Sequence, residues 1–132
     1  MTDSLWMRLC FLCLFLVPLS ANAAEYSCDV SVKRDYDYVY TIADLRKWKW
    51  SVKIVDDGSS AFISRCSFSS SANSVTCDEY SADFVHQDPY TGVKKYYYFR
   101  GHFDVQLFSD LSFVENNGRG SIGRGTCRLT KP

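Results

Sequence analysis

No catalytic, metal-binding or nucleotide-binding motif stands out in the 132 residues of this chain. Gly-x-Ser-x-Gly, which would raise a nucleophilic serine on a strained turn, is missing. Zinc sites draw cysteines in pairs two to four residues apart, and no pair beyond the leader approaches that spacing. The one Cys-x-x-Cys, Cys10 to Cys13, lies inside an apolar leader, so a redox dithiol is excluded from the remainder. Asp35-Tyr36-Asp37 and Asp56-Asp57-Gly58 lack the further oxygen ligands of a calcium loop. Net charge is absent too: fifteen basic residues balance fifteen acidic ones. Phosphate binding needs net or clustered positive charge, so nucleic acid is not an expected partner. The chain shows no repeat and no interdomain linker.

What is present begins with the leader. Arg8 precedes an apolar run, Leu9 to Leu19, and Ala21-Asn22-Ala23 follows with small residues where a signal peptidase reads. The run falls short of the roughly 20 apolar residues that cross a bilayer. Residues 1–23 are therefore expected to be a cleaved signal peptide. Residues 24–132 then form a single domain without a stable membrane anchor, periplasmic or extracellular in location. Arg8 and Asp3 leave with the leader, which keeps the charge balance at zero.

Four cysteines remain, at 28, 66, 77 and 127. An even count in a short exported domain reads as a disulfide framework. Four cysteines allow three connectivities. Cys66 and Cys77 flank the polar stretch Ser69-Ser70-Ser71-Ala72-Asn73-Ser74, which has the character of a hairpin tip, while Cys28 and Cys127 lie near the two ends. The favoured pairing is Cys66–Cys77 with Cys28–Cys127.

Strand patterning dominates. Tyr26, Cys28, Val30 and Val32 alternate with Ser27, Asp29, Ser31 and Lys33. Tyr36, Tyr38 and Tyr40 alternate with polar partners, as do Trp48, Trp50, Val52 and Ile54. Ala61 to Phe68, Val75 to His86, Val93 to Arg100, His102 to Phe108, Leu111 to Glu115 and Ser121 to Leu129 continue the pattern between turns. Asn117-Gly118 is a strong hairpin signal. Thr41 with Asp44 three residues on predicts one short helical turn near residues 42–47. The expected fold is all-β: a small antiparallel β-barrel or two-sheet sandwich of about eight strands.

Functional candidates follow from surface chemistry. In Lys94-Lys95-Tyr96-Tyr97-Tyr98-Phe99-Arg100, residues Lys94, Tyr96, Tyr98 and Arg100 share one strand face and Lys95, Tyr97 and Phe99 the other. Tyrosine and arginine are enriched in binding hot spots. Lys94, Tyr96, Tyr98 and Arg100 are therefore candidate partner-binding residues, with Arg119 at the tip of the Asn-Gly hairpin. Tyr36, Tyr38, Tyr40, Trp48 and Trp50 are expected to fill the core, or else to line a small-ligand cavity. His86 and His102, with Asp83, Asp88 or Asp104, are the elements of a small hydrolase.

The leader, the start Tyr26-Ser27-Cys28-Asp29, a compact β domain and a cysteine near the C-terminus together give a plan that resembles the periplasmic inhibitors of c-type lysozyme. The inhibitory Ser-Gly-x-x-Tyr segment of that family does not occur, and Gly120-Ser121-Ile122-Gly123 does not match it, so no inhibitory residue carries over. The leading expectation is an exported, non-enzymatic binding module that recognises another protein, such as an inhibitor of a secreted or host enzyme, and needs neither cofactor nor metal. A small-ligand carrier and a hydrolase are the alternatives.

Overall fold

The computed structural model describes residues 23–132. The expected signal peptide, with Cys10 and Cys13, therefore lies outside the described residues except for Ala23. Nine strands and one helix follow in order: β1 (Ala24–Arg34), α1 (Ile42–Trp48), β2 (Ser51–Asp56), β3 (Ala61–Ser69), β4 (Ser74–Ser81), β5 (Phe84–Gln87), β6 (Lys94–Tyr98), β7 (Phe103–Leu107), β8 (Ser112–Asn116) and β9 (Ile122–Lys131). All pairings are antiparallel and all strands belong to one sheet, ordered β4-β3-β2-β1-β9-β8-β7-β6-β5. The fold is a curled single sheet, a half-barrel, rather than a two-sheet sandwich.

The order resolves into two meanders. β1 to β4 wind outward from the centre on one side, and β9 back to β5 on the other. The meanders meet where β1 pairs with β9. They meet again through the two-residue link between β4 and β5. The Ala82 amide donates to the Ala61 carbonyl beside β4, and the Asp83 amide donates to the Tyr97 carbonyl on β6. The segment expected as one strand, Val75 to His86, is thus one path bent at Ala82-Asp83, pairing first with β3 and then with β6.

The centre of the inner face is apolar. Tyr96, Phe113, Ile54, Ile63, Val52, Val105 and Cys28 are its largest fully buried side chains. Cys28 and Cys127 are directly opposed across the β1–β9 seam and bonded, and Cys66 and Cys77 are opposed across the β3–β4 hairpin and bonded. Both pairings agree with the favoured connectivity.

Helix α1 starts on the expected capping box. The Asp44 amide donates to the Thr41 hydroxyl at 3.1 Å, and the Thr41 amide donates to the Asp44 carboxylate at 2.9 Å. The helix runs to Trp48 and stops at Lys49, whose φ of 50° closes it in the left-handed region. Trp48 is therefore the last helical residue and not part of the following strand, which begins at Ser51. The expected alternation from Trp48 to Ile54 holds only from Val52 onward, because Trp48 and Trp50 precede the strand.

Candidate functional site

The face of β6 that carries Lys94, Tyr96 and Tyr98 is the inner one. Tyr96 is 0% exposed, and its hydroxyl donates to Asp56 at 2.6 Å. Lys94 donates to the same carboxylate at 2.6 Å. Tyr98 is half-buried, with ring centroids 4.9 Å from Tyr80 and 5.1 Å from Phe103. Tyr96 is thus unavailable to a partner, and Lys94 and Tyr98 belong to the packing around it. The physical reason is that both faces of β6 are aromatic, and the hydroxyl of Tyr96 meets the one buried carboxylate able to accept from it.

Arg100 and Arg119 are different. Both are exposed in turns, after β6 and after β8 respectively. The two turns touch: the Gly118 backbone sits so close to the His102 carbonyl that a Cβ at Gly118 would lie 1.9 Å from that oxygen. The fold therefore brings Arg100 and Arg119 to the same end of the half-barrel, while Lys94 and Tyr96 face its interior.

The outward face of β6 continues onto β5. Phe84 pairs with Tyr97 and His86 with Lys95, so their side chains share the outer surface. Four rings form a row: His86 to Phe84 at 6.1 Å, Phe84 to Tyr97 at 6.0 Å, and Tyr97 to Phe99 at 6.0 Å between centroids. Successive planes differ by only 17° to 33°. Phe84 is 50% exposed and Phe99 60%. The Lys95 ammonium lies 5.8 Å above the Tyr97 ring, and Arg100 follows Phe99 directly. Phe84 and Phe99 lie on the face opposite the candidate partner-binding residues of β6; the sequence signal for the row is the period-2 spacing of Tyr97 and Phe99, with Phe84 at the head of an edge strand.

The aromatic residues expected in the core stand elsewhere. Tyr38, Tyr40, Trp50 and Trp48 form a chain of ring contacts at the rim, with centroids 4.9, 4.9 and 6.2 Å apart. Tyr40 donates to Asp35 at 2.5 Å and Tyr38 to Asp44 at 2.8 Å, which fastens the loop before α1 to the helix. Tyr36 is 85% exposed. These residues follow a strand-like pattern, but Asp35 to Thr41 is a loop with a single bridge, Arg34 to Val39, so the pattern has no sheet to enter.

At this same rim a cleft of about 220 Å³ opens into the half-barrel, lined by Lys33, Trp50, Ser51, Arg65, Ser67, Asp78, Tyr80 and Glu115 among others. Glu115 is buried, and its Oε1 accepts from Arg65 Nε at 2.6 Å and lies 2.5 Å from Arg65 Nη2. The Arg65 guanidinium also stacks 4.9 Å from the Phe103 ring centroid. The Lys33 ammonium stands 5.0 Å above the Trp50 ring. Desolvation holds the Lys33 ammonium below the usual lysine range, an effect that Glu115 and Asp35 oppose and Arg65 reinforces.

Neither histidine is hydrogen-bonded or ion-paired to the three acids, although His86 lies near enough to Asp88 to help hold its carboxyl down. His86 stacks on Phe84, and His102 sits in the β6–β7 turn at a φ of 57°. Asp83 accepts from the Phe99 amide, Asp88 from the Tyr90 and Thr91 amides, and Asp104 from Gln106. Among the described residues there is no cluster of three His, Cys, Asp or Glu side chains able to hold a metal ion. No described helix is long and apolar enough to cross a membrane.

Comparison with protein-family models, with curated proteins and with solved structures finds no match in any of the three. The two disulfides fit an oxidising, exported environment.

Proposed function

We infer that this chain is an exported, non-enzymatic module that binds another protein through the outer face of β5 and β6. The observation that carries the reading is the row His86, Phe84, Tyr97 and Phe99 at the edge of the sheet, ending at Arg100. Exposed rings set in a row leave apolar area in water that the fold does not need. Aromatic residues next to an arginine are the composition of interface centres. β5 is also an edge strand with no neighbour on one side, so its backbone can pair with a partner strand.

Two features weigh against the alternatives. The interior is filled by Tyr96, Phe113 and the aliphatic residues around them, and the space left at the rim is walled mostly by charged and polar side chains, with only Trp50 and Tyr80 as rings. A hydrolase would need a histidine hydrogen-bonded to an acid, and among the described residues neither histidine makes such a bond.

The test is retention of proteins from the exported fraction on immobilised chain. The native protein is expected to retain a defined partner, and Phe84→Ser with Phe99→Ser to release it at unchanged melting temperature. No retained partner, or equal retention by the variant, would remove the reading.

A further inference from the structure

Strand β1 carries two irregularities along its central pairing with β9, and the second, between Val30 and Val32, decides where Lys33 points. Val30 pairs with Gly125 and Val32 with Arg124, which leaves Ser31 as an extra residue without a partner of its own. Its hydroxyl donates to the Arg124 carbonyl at 3.4 Å. A bulge shifts the in-and-out alternation of every residue beyond it. Val32 is accordingly turned outward, 50% exposed, and Lys33 is turned inward opposite Gly123. Simple alternation from Cys28 puts Val32 inside and Lys33 outside. The bulge exchanges an apolar side chain for an ammonium on the inner face, against the direction that hydrophobic burial favours.

Once inside, the ammonium is left without a direct counter-ion. Among the described residues no carboxylate lies within ion-pair distance of Lys33. Glu115 and Asp35 are near enough to act on it electrostatically, but Glu115 is already engaged by Arg65 and Asp35 by the Tyr40 hydroxyl. The Trp50 ring, 5.0 Å away, covers one side of the cation. The Tyr80 ring and Ser67 also line the cleft.

We propose that this cleft is a carboxylate-binding site, in which one carboxylate group seats on the Lys33 ammonium between Trp50 and Tyr80, with Arg65 behind it. Charge sets the class of ligand. Asp78, paired directly across from Arg65, and Glu115 balance Lys33 and Arg65, so the cleft lining is neutral overall and disfavours phosphate and other polyanions; the one ammonium without a direct counter-ion suits a single carboxylate. Size sets it too. A cleft of about 220 Å³ holds one acidic side chain or a small free acid. The two sources share one chemistry. The site lies apart from the outer aromatic row and does not depend on it.

The test is an NMR titration of the oxidised protein with N-acetyl-aspartate amide, N-acetyl-asparagine amide and a short peptide containing one aspartate. The aspartate probe is expected to shift signals of Lys33, the Trp50 indole and Tyr80, and the asparagine probe to leave them in place. Lys33→Met is expected to weaken binding about ten-fold or more, the loss of one charge-assisted hydrogen bond, and Lys33→Arg to restore most of it. Asp78→Asn is expected to tighten binding by removing a like charge. Tighter binding of the peptide than of the single residue assigns the site to a polypeptide side chain, and equal binding to a free acid; either outcome supports a carboxylate site. Equal response to aspartate and asparagine, shifts elsewhere on the protein, or undiminished binding by a folded Lys33→Met would overturn it.

Discussion

Asp56 and Lys33 are two charges held on the inner face of the sheet in opposite circumstances. Asp56 is 5% exposed and accepts from Lys94, from the Tyr96 hydroxyl and from the Gly58 amide. Burial pushes its carboxyl up, but the three hydrogen bonds and the Lys94 charge together hold it below the usual aspartate range. A folded-state pKa below the unfolded one means that the ionised carboxylate stabilises the fold above the unfolded value and that this contribution is lost as pH falls through the folded value. Asp35, Asp44, Asp57, Asp88 and Asp110 are lowered as well, by hydrogen bonds from neighbouring hydroxyls and amides, and act in the same direction. The melting temperature is therefore expected to fall steadily below about pH 5, as the pH approaches the unfolded carboxylate range near 4 and passes below it. A flat profile from pH 6 to pH 3 would contradict the Asp56 geometry. For Lys33 the linkage is reversed in consequence. Its lowered pKa means that the charged form is held less favourably in the folded state than in the unfolded one, a cost present below the folded pKa and relieved only as pH rises through it. Lys33→Met is thus expected to raise the melting temperature at neutral pH, and thermal unfolding of the two proteins side by side checks it. A stabilising substitution at a cleft residue is the pattern that binding sites show when function opposes stability.

Strand β6 separates what alternation can and cannot tell. Its sequence places Lys94, Tyr96 and Tyr98 on one face and Lys95, Tyr97 and Phe99 on the other, and the structure keeps that division. Which face turns inward depends on Asp56, thirty-eight positions away from Lys94 in the chain, and no local pattern reports such a partner. Helix α1 was legible because its signal is local: Thr41 and Asp44 satisfy each other within one turn. The disulfides were legible from cysteine placement alone. β1 was misread beyond Val30 because one unpaired serine reverses parity, and Val30-Ser31-Val32 carries no glycine or proline to mark it. The aromatic loop from Tyr36 to Tyr40 has strand-like spacing but no neighbouring strand, so periodicity overstated it. The two faces of β6 can be told apart by truncation. Tyr98→Ala removes a ring packed on Tyr80 and Phe103 and is expected to cost about 2–4 kcal/mol. Phe99→Ala, at an exposed position, is expected to cost well under about 1 kcal/mol. Urea denaturation of both variants measures the contrast, and equal losses would mean that the outer row is part of the packing.

Across the whole molecule, the order of the strands divides the chain into two locally connected meanders that must find each other. Within each meander neighbouring strands are joined by short turns, except that the loop and helix of residues 35–50 link β1 to β2, so pairing closes loops that are small beside the whole chain. The seam between β1 and β9 is the costly step, because it joins opposite ends of the chain before any contact across it can form. The two disulfides lie on either side of this distinction. Cys66–Cys77 spans 11 positions inside one hairpin, and Cys28–Cys127 spans 99 across the seam. By loop closure alone the first contributes about 3 kcal/mol and the second nearly 5 kcal/mol. Their kinetic roles should differ more than these energies do. The long bond removes from the unfolded chain the entropy that the seam must otherwise overcome, so Cys28→Ala with Cys127→Ala is expected to slow refolding markedly as well as to lower stability. Cys66→Ala with Cys77→Ala leaves the long-range search unchanged, and is expected to lower stability with little change in refolding rate. Stopped-flow refolding of the two double variants, each with its other disulfide intact, measures this. Equal refolding rates would mean that the meanders dock before the transition state without help from the bond, and that the seam is not where folding is limited.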